Sequence, residues 1–374
     1  MKRILVTGAA GFMGRNLCVA LRREPDFEVL EFDLPQTPDE LGTLAARADL
    51  VFHLAGVNRP KAEREFTEGN VDLTRRLCDG LAAGGRRTPV VLSSSIQAEL
   101  DNPYGRSKRE AEAVVEAYQR QTGAAVYVFR FPNVFGKWSR PNYNTVVATF
   151  CHNISRGLPV QISNRANVVR FVYIDDIVRA FLALARQADH PPVLSRPDIQ
   201  PVFSITLGEL HDRLVSFREG RAKGLLPDLA DPLTRYLYAT YVSFYDPGDF
   251  ARPVDLKCDD RGWLFELVKS PHAGQIFVSR TRPGITRGNH YHDTKVEKFC
   301  VIQGEGIIRF RPVLGGSVVE YPVNDRHIRV VDIPPGYTHS IQNTGNTDLI
   351  TLFWASEVFD PQRPDTVFEP VLRG

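Results

Sequence analysis

The sequence predicts two domains of different fold class: an α/β domain with a doubly wound parallel sheet, followed by an all-β barrel. Through the first 245 residues, short apolar runs that end in small or polar residues alternate with helical patterns. Residues 246–253 contain two prolines and a glycine and predict a linker, with an ordered turn as the alternative. From residue 254 onward, short strands and turns replace this alternation, so the barrel should occupy residues 254–374.

Composition limits the class of protein. The chain has 374 residues, enough for two or three domains that each bury a core. Its 46 basic and 44 acidic residues are nearly balanced and scattered, which argues against a nucleic-acid surface. The five cysteines are odd in number and unpaired by spacing, and no apolar run is long enough to span a bilayer. We therefore expect an unexported, cytoplasmic protein.

The first strand pattern, residues 3–7, leads directly into a glycine turn and then a helix. A parallel strand, a glycine turn and a helix in this order bring backbone N–H groups and a helix N-terminus against a pyrophosphate. This order predicts a Rossmann-type fold that binds NAD(P). The turn residues expected to contact the dinucleotide are Gly8, Gly11, Phe12, Met13 and Gly14.

Two side chains near this turn predict different cofactors. Asp33 ends the second strand pattern, where its carboxylate could accept hydrogen bonds from an adenosine ribose and favour NAD(H). Arg15 stands just inside the first helix, where it could pair with a 2′-phosphate and favour NADP(H). The third strand pattern ends in small residues, as expected of a strand that passes beneath a bound cofactor; those residues are Leu54, Ala55 and Gly56.

A pair of side chains suited to alcohol and ketone chemistry follows the fourth strand pattern. Residues 89–95 read as a buried strand that ends in three serines, and Tyr104 and Lys108 come soon after. Positions four apart share a helix face, so the Lys108 ammonium can lie near the Tyr104 phenol and lower its pKa. A phenol tuned in this way is a proton donor or acceptor for an alcohol/ketone pair.

The glycine turn, the serine-tipped strand and the Tyr-x3-Lys pair together resemble the extended short-chain dehydrogenase/reductase family. That resemblance implies that Tyr104 is the acid/base and that Lys108 holds the nicotinamide ribose. It implies that Ser95, with Ser94 as the alternative, hydrogen-bonds the substrate oxygen. Tyr104 follows Ser95 by only nine positions, fewer than in most relatives, so the loop between them is shortened. The acidic pair of sugar 4,6-dehydratases is missing after the serines, which argues against a dehydratase.

Three later stretches, residues 129–138, 142–144 and 169–176, resemble the nucleotide-sugar members of that family. The resemblance implies a nucleotide-sugar substrate whose diphosphate or sugar is contacted by asparagines and whose phosphate faces an arginine. Arginine suits this role because its guanidinium can form two parallel bonds to phosphate oxygens, although a surface ion pair is the alternative. The residues concerned are Asn133, Asn142, Asn144 and Arg170.

The second domain contains four side chains with metal-ligand spacing. His290 and His292 are two positions apart on a strand pattern and therefore point the same way, and Glu297 follows after a turn. A proline/glycine turn then leads into a strand that carries His339. Imidazoles with one carboxylate suit zinc, iron, manganese or nickel. The sequence thus predicts a divalent metal site, with zinc as the expected ion.

The spacing of these four residues resembles the two cupin motifs, which implies a double-stranded β-helix, or jelly-roll barrel, with the metal inside. One glycine of the second motif is replaced by Ile328. Residues 258–266 and 287–291 also resemble cupin-class nucleotide-sugar ketone epimerases, in which the histidine after Arg-Gly-x is a base and no metal is used. His290 is therefore either ligand or base. We favour ligand, because Glu297 and His339 are also present.

Over its whole length, the chain resembles bifunctional capsular polysaccharide biosynthesis enzymes that join such a reductase to a cupin. This implies C3 epimerisation of a UDP-linked 4-keto-6-deoxy sugar in the barrel and NADPH-dependent reduction at C4 in the first domain, toward UDP-N-acetyl-L-fucosamine. The C3 base stays open among Lys298, Tyr337 and Asp260. The alternative is an NAD-dependent 4-epimerase with a non-catalytic barrel that only dimerises. Because barrels commonly pair through edge strands, we expect a homodimer.

Overall fold

The computed structural model describes residues 1–250, 253–292, 295–313, 315–334 and 336–373. These residues form two compact units, one of residues 1–214 with 236–245, the other of residues 215–235 with 246 onward. Residues 251 and 252 of the predicted linker lie outside the described residues, and the domain boundaries at 245 and 254 stay a prediction. Within the described ranges, no helix is long and apolar enough to cross a membrane.

The first two thirds of the chain are built from both strands and helices. In chain order these are β1 (Lys2–Thr7), α1 (Phe12–Leu21), β2 (Phe27–Phe32), α2 (Pro38–Arg47), β3 (Leu50–His53), α3 (Arg64–Phe66), α4 (Leu73–Ala83), β4 (Val90–Ser95), α5 (Pro103–Thr122), β5 (Val126–Phe131), β6 (Asn133–Phe135), α6 (Val146–Ser155), β7 (Val168–Tyr173), α7 (Ile174–Ala185), β8 (Leu194–Ser195), β9 (Phe203–Thr206), α8 (Leu207–Lys223) and α9 (Pro232–Val242). A π-helical turn (Thr67–Asp72) joins α3 to α4, and a 3₁₀ turn (Ile96–Glu99) precedes α5.

A six-stranded parallel sheet in the order β2-β1-β3-β4-β5-β8 is the centre of the first unit. Because successive side chains of a strand point to opposite faces, β1 buries Ile4 on one face and Leu5 on the other. Helices α1 and α7 pack on the Ile4 face, and α2, α4 and α5 pack on the Leu5 face. The doubly wound α/β fold predicted from the sequence is confirmed. Strands β6, β7 and β9 form a separate small sheet.

The later part of the chain is built from antiparallel strands. These are β10 (Lys257–Asp259), β11 (Gly262–Ser270), β12 (Gly274–Thr281), β13 (Thr286–Tyr291), β14 (Glu297–Gln303), β15 (Glu305–Pro312), β16 (Val319–Asn324), β17 (Val330–Ile333), β18 (Tyr337–Asn343), β19 (Leu349–Ala355) and β20 (Val367–Phe368). They form two sheets, in the orders β10-β11-β12-β19-β14-β17 and β16-β15-β18-β13-β20. Apolar side chains of both sheets, among them Phe299, Ile308 and Phe353, share one core. The predicted all-β domain is confirmed.

Candidate functional site

Backbone crowding determines the glycine turn between β1 and α1. Gly8 has a φ of +70°, and a Cβ at this position would lie 2.7 Å from the backbone nitrogen of Ala55. A Cβ on Gly14 would lie 2.0 Å from the carbonyl oxygen of Gly8. Neither position accepts a side chain, so the N-terminus of α1 stays open toward the turn, where a pyrophosphate can approach its N–H groups. Leu54 and Ala55, two of the residues after β3 that were predicted to lie beneath the cofactor, lie directly against this turn.

A cavity of about 490 Å³ lies beside the glycine turn, and Arg15 and Asp33 both line it. The carboxylate of Asp33 accepts hydrogen bonds from the backbone N–H groups of Ala10, at 2.7 Å, and Leu34, at 2.8 Å. Asp33 therefore holds the turn and its own loop together, whereas the Arg15 side chain is exposed. Phe12 and Met13 are the first residues of α1 and are half-buried.

Lys108 lies inside the protein on the same face of α5 as Tyr104. Its ammonium donates a 2.6 Å hydrogen bond to the carbonyl oxygen of Ser93, and it lies 3.8 Å from where a Cβ on Gly56 would be. Burial lowers the pKa of Lys108 to about 8, and the charge of Glu112 acts to raise it. An ammonium with this pKa stays largely protonated at neutral pH beside the end of β3.

The phenol of Tyr104 departs from the sequence prediction. Burial raises the pKa of Tyr104, and a hydrogen bond with the Ser95 side chain acts in the opposite direction. The prediction that Lys108 would lower this pKa is therefore wrong. The physical reason is that loss of hydration disfavours the phenolate more strongly than the Ser95 hydrogen bond favours it.

The structure separates the two candidate serines. The hydroxyl of Ser94 donates to the buried carboxylate of Glu112, so Ser94 is part of a contact between β4 and α5. The hydroxyl of Ser95 instead accepts from the backbone N–H of Gln97 at 3.2 Å and interacts with Tyr104. Of the two, Ser95 is the serine that shares its surroundings with the phenol.

The shortened loop between Ser95 and Tyr104 brings the serine and the tyrosine together. A 3₁₀ turn fills its first half, and Asn102 caps α5 by accepting a 2.7 Å hydrogen bond from the N–H of Gly105. A Cβ on Gly105 would lie 2.2 Å from the carbonyl oxygen of Gln97. The start of α5 thus packs directly on the loop, and only glycine permits that approach.

Two of the predicted substrate residues lie together. The side-chain amide of Asn133 donates to the carbonyl of Arg170 at 3.1 Å. Arg170 is exposed and lines a second cavity, of about 170 Å³, which extends to Ile96, the residue after Ser95. Asn142 and Asn144 are exposed residues of the loop before α6 and are not among the residues that line this cavity.

Glu112 is a site residue that the sequence motifs did not predict. Its carboxylate is 2% exposed and binds the guanidinium of Arg130 through bonds of 2.9 and 2.6 Å, besides accepting from Ser94. Glu112 follows Lys108 by four positions, so the two share a helix face, and this spacing was the available signal. Glu112 therefore joins β4 and β5 to α5 beside Lys108.

Two further buried residues, Asn70 and His53, also hold the site together. The side chain of Asn70 bonds both the N–H and the carbonyl of Val57, at 2.8 and 2.9 Å, and donates to Ser107 at 2.9 Å. The ring of His53 lies between the hydroxyls of two threonines, and burial, followed by the Lys108 charge, lowers its pKa to about 3. Nothing in the apolar pattern of β3 distinguishes this histidine from a core residue.

The four predicted metal ligands lie together in the barrel. The candidate ligand atoms of His290, His292, Glu297 and His339 all lie within 4.8 Å of one another. Oε2 of Glu297 lies 3.3 Å from Nε2 of His292 and 3.6 Å from Nε2 of His339. Tetrahedral ligands about 2.1 Å from one ion lie about 3.4 Å apart, so these separations suit zinc-like coordination.

Buried ring nitrogens support the fit to a metal. Nε2 of His292 and Nε2 of His339 are buried and have no hydrogen-bond partner in the described chain. Burial acts to raise the pKa of Glu297, but the neighbouring imidazoles of His292 and His339 outweigh it and hold the pKa at about 2. Two unpartnered imidazole nitrogens directed at a buried carboxylate are costly without an ion and are the donors that a divalent metal requires.

A β-bulge sets the position of His290. The pairing of β13 with β18 matches Gly288 to Ser340 and then His290 to His339, so Asn289 is the extra residue. Gly288 and Asn289 have φ values of +93° and +60°, which turn the strand at this point. The bulge brings the rings of His290 and His339 to a centroid separation of 4.6 Å.

The C-terminal segment packs against the metal ligands. Strand β20 pairs with β13 at His290, and Nδ1 of His292 lies 2.5 Å from the carbonyl oxygen of Asp365. This contact leaves Nε2 of His292 facing Glu297 and fixes the tautomer needed for a ligand. Arg311, which is buried, donates to the carbonyl of Val371 at 3.0 Å and holds the segment in place.

The three candidates for the C3 base occupy different positions. Lys298 is exposed, pairs with Asp332, and alternates with the buried Glu297 on β14, so the structure argues against it. Tyr337 is 37% exposed and lies on the same side of β18 as His339. Asp260 is exposed in the turn between β10 and β11.

Comparison with known proteins agrees with this architecture. A model of the NAD dependent epimerase/dehydratase family matches residues 4–195, and a model of the polysaccharide biosynthesis C-terminal domain matches residues 257–367. The chain is 44% identical to the UDP-2-acetamido-2,6-beta-L-arabino-hexul-4-ose reductase of Pseudomonas aeruginosa, over 97% of each chain.

Solved structures extend the comparison. The crystal structure of the capsular polysaccharide assembling protein CapF from Staphylococcus aureus matches with a TM-score of 0.90 and 42% identity, over 98% of this chain and 100% of that chain. MoeE5 in complex with UDP-glucuronic acid and NAD matches with a TM-score of 0.51 and 25% identity, over 58% of this chain and 82% of that chain. The chain therefore belongs to the NAD dependent epimerase/dehydratase family and, over its whole length, to the CapF-type proteins that join such a domain to a polysaccharide biosynthesis C-terminal domain.

Proposed function

We propose that the chain is a bifunctional nucleotide-sugar enzyme that epimerises C3 of a UDP-2-acetamido-2,6-dideoxy-4-keto-hexose in its barrel and reduces the C4 ketone in its α/β domain. The product would be of the UDP-N-acetyl-L-talosamine type, a precursor of UDP-N-acetyl-L-fucosamine for capsule synthesis. The whole-length similarity to a UDP-sugar reductase supports the substrate class. The grouping of Ser95, Tyr104 and Lys108 is the observation that carries the reduction.

In the reduction, bound NADPH would supply the hydride that C4 accepts. We assign Ser95 to bind the ketone oxygen, because Ser94 is already bonded to Glu112. Tyr104 gives its phenolic proton to that oxygen, and the raised pKa of Tyr104 keeps the proton available at neutral pH. Lys108 stays largely protonated and would contact the nicotinamide ribose, while the Ser95 hydrogen bond favours the phenolate that is left behind.

In the epimerisation, the C4 ketone acidifies the hydrogen on C3. A base removes this proton, and a proton returns to the opposite face. A divalent metal held by His290, His292, Glu297 and His339, for which we propose zinc, would act as a Lewis acid beside the ketone. We assign His290 as a ligand because its ring lies against that of His339. For the base, Tyr337 is the candidate on the His339 side of its strand.

The chemistry requires one order of events. The C3 hydrogen is acidic only while C4 is a ketone, so epimerisation must precede reduction. Reduction then removes the acidifying group and fixes the new configuration at C3. Each step therefore needs the same ketone, and this shared need gives a physical reason for two catalytic domains in one chain.

Two variants of the full-length protein test the division of labour. Tyr104→Phe should abolish NADPH oxidation and leave solvent deuterium exchange at C3 of the 4-keto UDP-sugar intact, as followed by NMR. Glu297→Gln should abolish this exchange and leave the reduction of an already epimerised ketone intact. Loss of exchange in a folded Tyr104→Phe protein would refute the assignment.

Purified protein that carries bound NAD and needs no added NADPH would instead indicate a 4-epimerase with a non-catalytic barrel. The homodimer stays a prediction that light scattering can test.

A further inference from the structure

An exposed tryptophan with an unusual backbone conformation borders the cavity beside the glycine turn. Trp138 has a φ of +67°, a region that residues with bulky side chains rarely adopt. Its side chain is 47% exposed, so burial in the core does not compensate for the strain. Strained residues of this kind cluster at ligand sites, which makes the surroundings of Trp138 informative.

Hydrogen bonds on both sides hold this conformation. The side-chain amide of Asn16, on α1, donates to the carbonyl of Lys137 at 3.3 Å. On the other side, the buried hydroxyl of Ser139 donates to the carbonyl of Gly136 at 2.7 Å. The first of these contacts ties the loop to the helix that begins at the glycine turn. The position of the Trp138 indole is therefore set with respect to that turn.

The indole shares its cavity with the residues that would contact an adenosine ribose. Ala10 of the glycine turn, Arg15, Asp33 and Trp138 all line the same space of about 490 Å³. The Asp33 carboxylate already accepts two backbone N–H groups. The exposed guanidinium of Arg15 makes no ion pair within the described part of the chain. Arg22 and Glu31 also line this space and pair with each other, so Arg15 is the cation that can meet an added anion.

We propose that Trp138 is a cofactor-specificity residue. Its indole forms one wall of the adenosine-ribose site and contacts the ribose next to the 2′-phosphate, and Arg15 forms an ion pair with that phosphate. The proposal rests on the proposed function, since it requires the glycine turn to bind NADP(H). It goes further by assigning a contact from a loop outside the strand-turn-helix unit. An aromatic face and a cation together recognise a phosphorylated ribose and its base.

Tryptophan fluorescence and calorimetry of the full-length protein test the proposal with 2′,5′-ADP and 5′-ADP as probes, since neither contains a nicotinamide that would quench emission. The chain has three tryptophans, of which Trp263 and Trp354 lie in the barrel strands β11 and β19. We expect 2′,5′-ADP to change the emission of the wild-type protein and of Trp263→Phe, and to leave that of Trp138→Phe unchanged. An emission change retained in Trp138→Phe would overturn the proposal.

Affinity gives a second measurement with a variant that should fold well. Glycine adopts a φ of +67° without strain, which offsets part of the packing lost with the half-buried indole, so Trp138→Gly should stay folded, as thermal unfolding can check. Its dissociation constant for 2′,5′-ADP should nevertheless rise about tenfold, because base and ribose contacts with an aromatic ring are lost. The dissociation constant of Trp138→Gly for 5′-ADP should rise less. An unchanged constant for 2′,5′-ADP would refute the role of Trp138.

The two probes also separate this inference from the proposed function. If wild-type protein binds 2′,5′-ADP and NADPH by calorimetry but Trp138→Gly binds them equally well, the inference fails and the dinucleotide site stands. If wild-type protein binds neither NADPH nor NAD, the proposed function fails and the inference fails with it. If 5′-ADP binds as tightly as 2′,5′-ADP, the 2′-phosphate contact is refuted.

Discussion

Replacing Glu112 with glutamine tests whether this buried carboxylate sustains the charge on Lys108. Glu112 follows Lys108 by four positions on α5, which places their Cβ atoms about 5–6 Å apart. Two unit charges about 6 Å apart at an effective dielectric constant of about 20 interact by about 3 kcal/mol, or about 2 pKa units. Arg130, which binds Glu112, offsets part of this interaction. We therefore expect the pKa of Lys108 to fall by about 1 unit.

The sign of the effect follows from the charges. Glu112 acts to raise the pKa of Lys108, which burial has lowered to about 8, and neutralising Glu112 removes that support. A pKa near 7 would leave roughly one tenth of Lys108 protonated at pH 8, compared with about half in the wild-type protein. Activity that needs the ammonium should drop about fivefold at pH 8 and stay nearly unchanged at pH 6.

The assay is the pH dependence of kcat/KM for NADPH-dependent reduction, with Glu99→Gln as the control. Glu99 also pairs with Arg130, at 3.1 Å, but its side chain is 71% exposed, so its neutralisation should leave the profile in place. Thermal unfolding is measured in parallel, because loss of a buried ion pair destabilises the fold. A uniform fall in kcat/KM at every pH, with no shift of the alkaline limb, would refute the role of Glu112 in setting the charge on Lys108.

Three further predictions concern the other parts of the two sites. Removing metal with a chelator should lower the unfolding temperature seen by calorimetry, since an ion at 100 times its Kd stabilises by about 2.7 kcal/mol; Glu297→Gln should abolish this sensitivity. Gly14→Ala should abolish NADPH binding, as measured by titration calorimetry, because its Cβ would lie 2.0 Å from the carbonyl oxygen of Gly8. The control is Gly42→Ala, whose Cβ would have no atom within 4 Å; this variant should bind NADPH normally and be slightly more stable. Arg311→Met should release the C-terminal segment and weaken metal binding about 10- to 100-fold in competition titrations; wild-type affinity would contradict the support from this segment.

The sequence predicts the α/β domain well because its signals are local. The strand, glycine turn and helix around Gly8 and Gly14 are contiguous in the chain. The contact that excludes a side chain at Gly14 is with Gly8 itself, whereas the contact at Gly8 comes from Ala55 after β3. The prediction for the pKa of Tyr104 failed for a related reason. Helical spacing indicates which charges are near, but the loss of hydration depends on packing from the whole fold.

The choice between Ser94 and Ser95 shows the limit of spacing arguments. Adjacent residues of β4 point to opposite faces, so one serine faces Tyr104 and the other faces away. The sequence does not specify which, because the shortened loop could have shifted the strand by one residue. In the structure, Glu112 from α5 binds Ser94, and this contact between distant segments leaves Ser95 on the side of the phenol.

The metal ligands were predictable as a set, but their convergence depends on an irregularity that spacing does not reveal. Continuing the regular pairing beyond Gly288 and Ser340 would match Asn289, not His290, to His339, and would turn both histidines of β13 to the opposite face. The bulge at Asn289 inserts one residue and returns His290 and His292 to the side that carries His339. Deleting Asn289 should therefore abolish metal binding although it removes no ligand. A deletion variant that still binds the ion with wild-type affinity would show that the bulge does not set the ligand geometry.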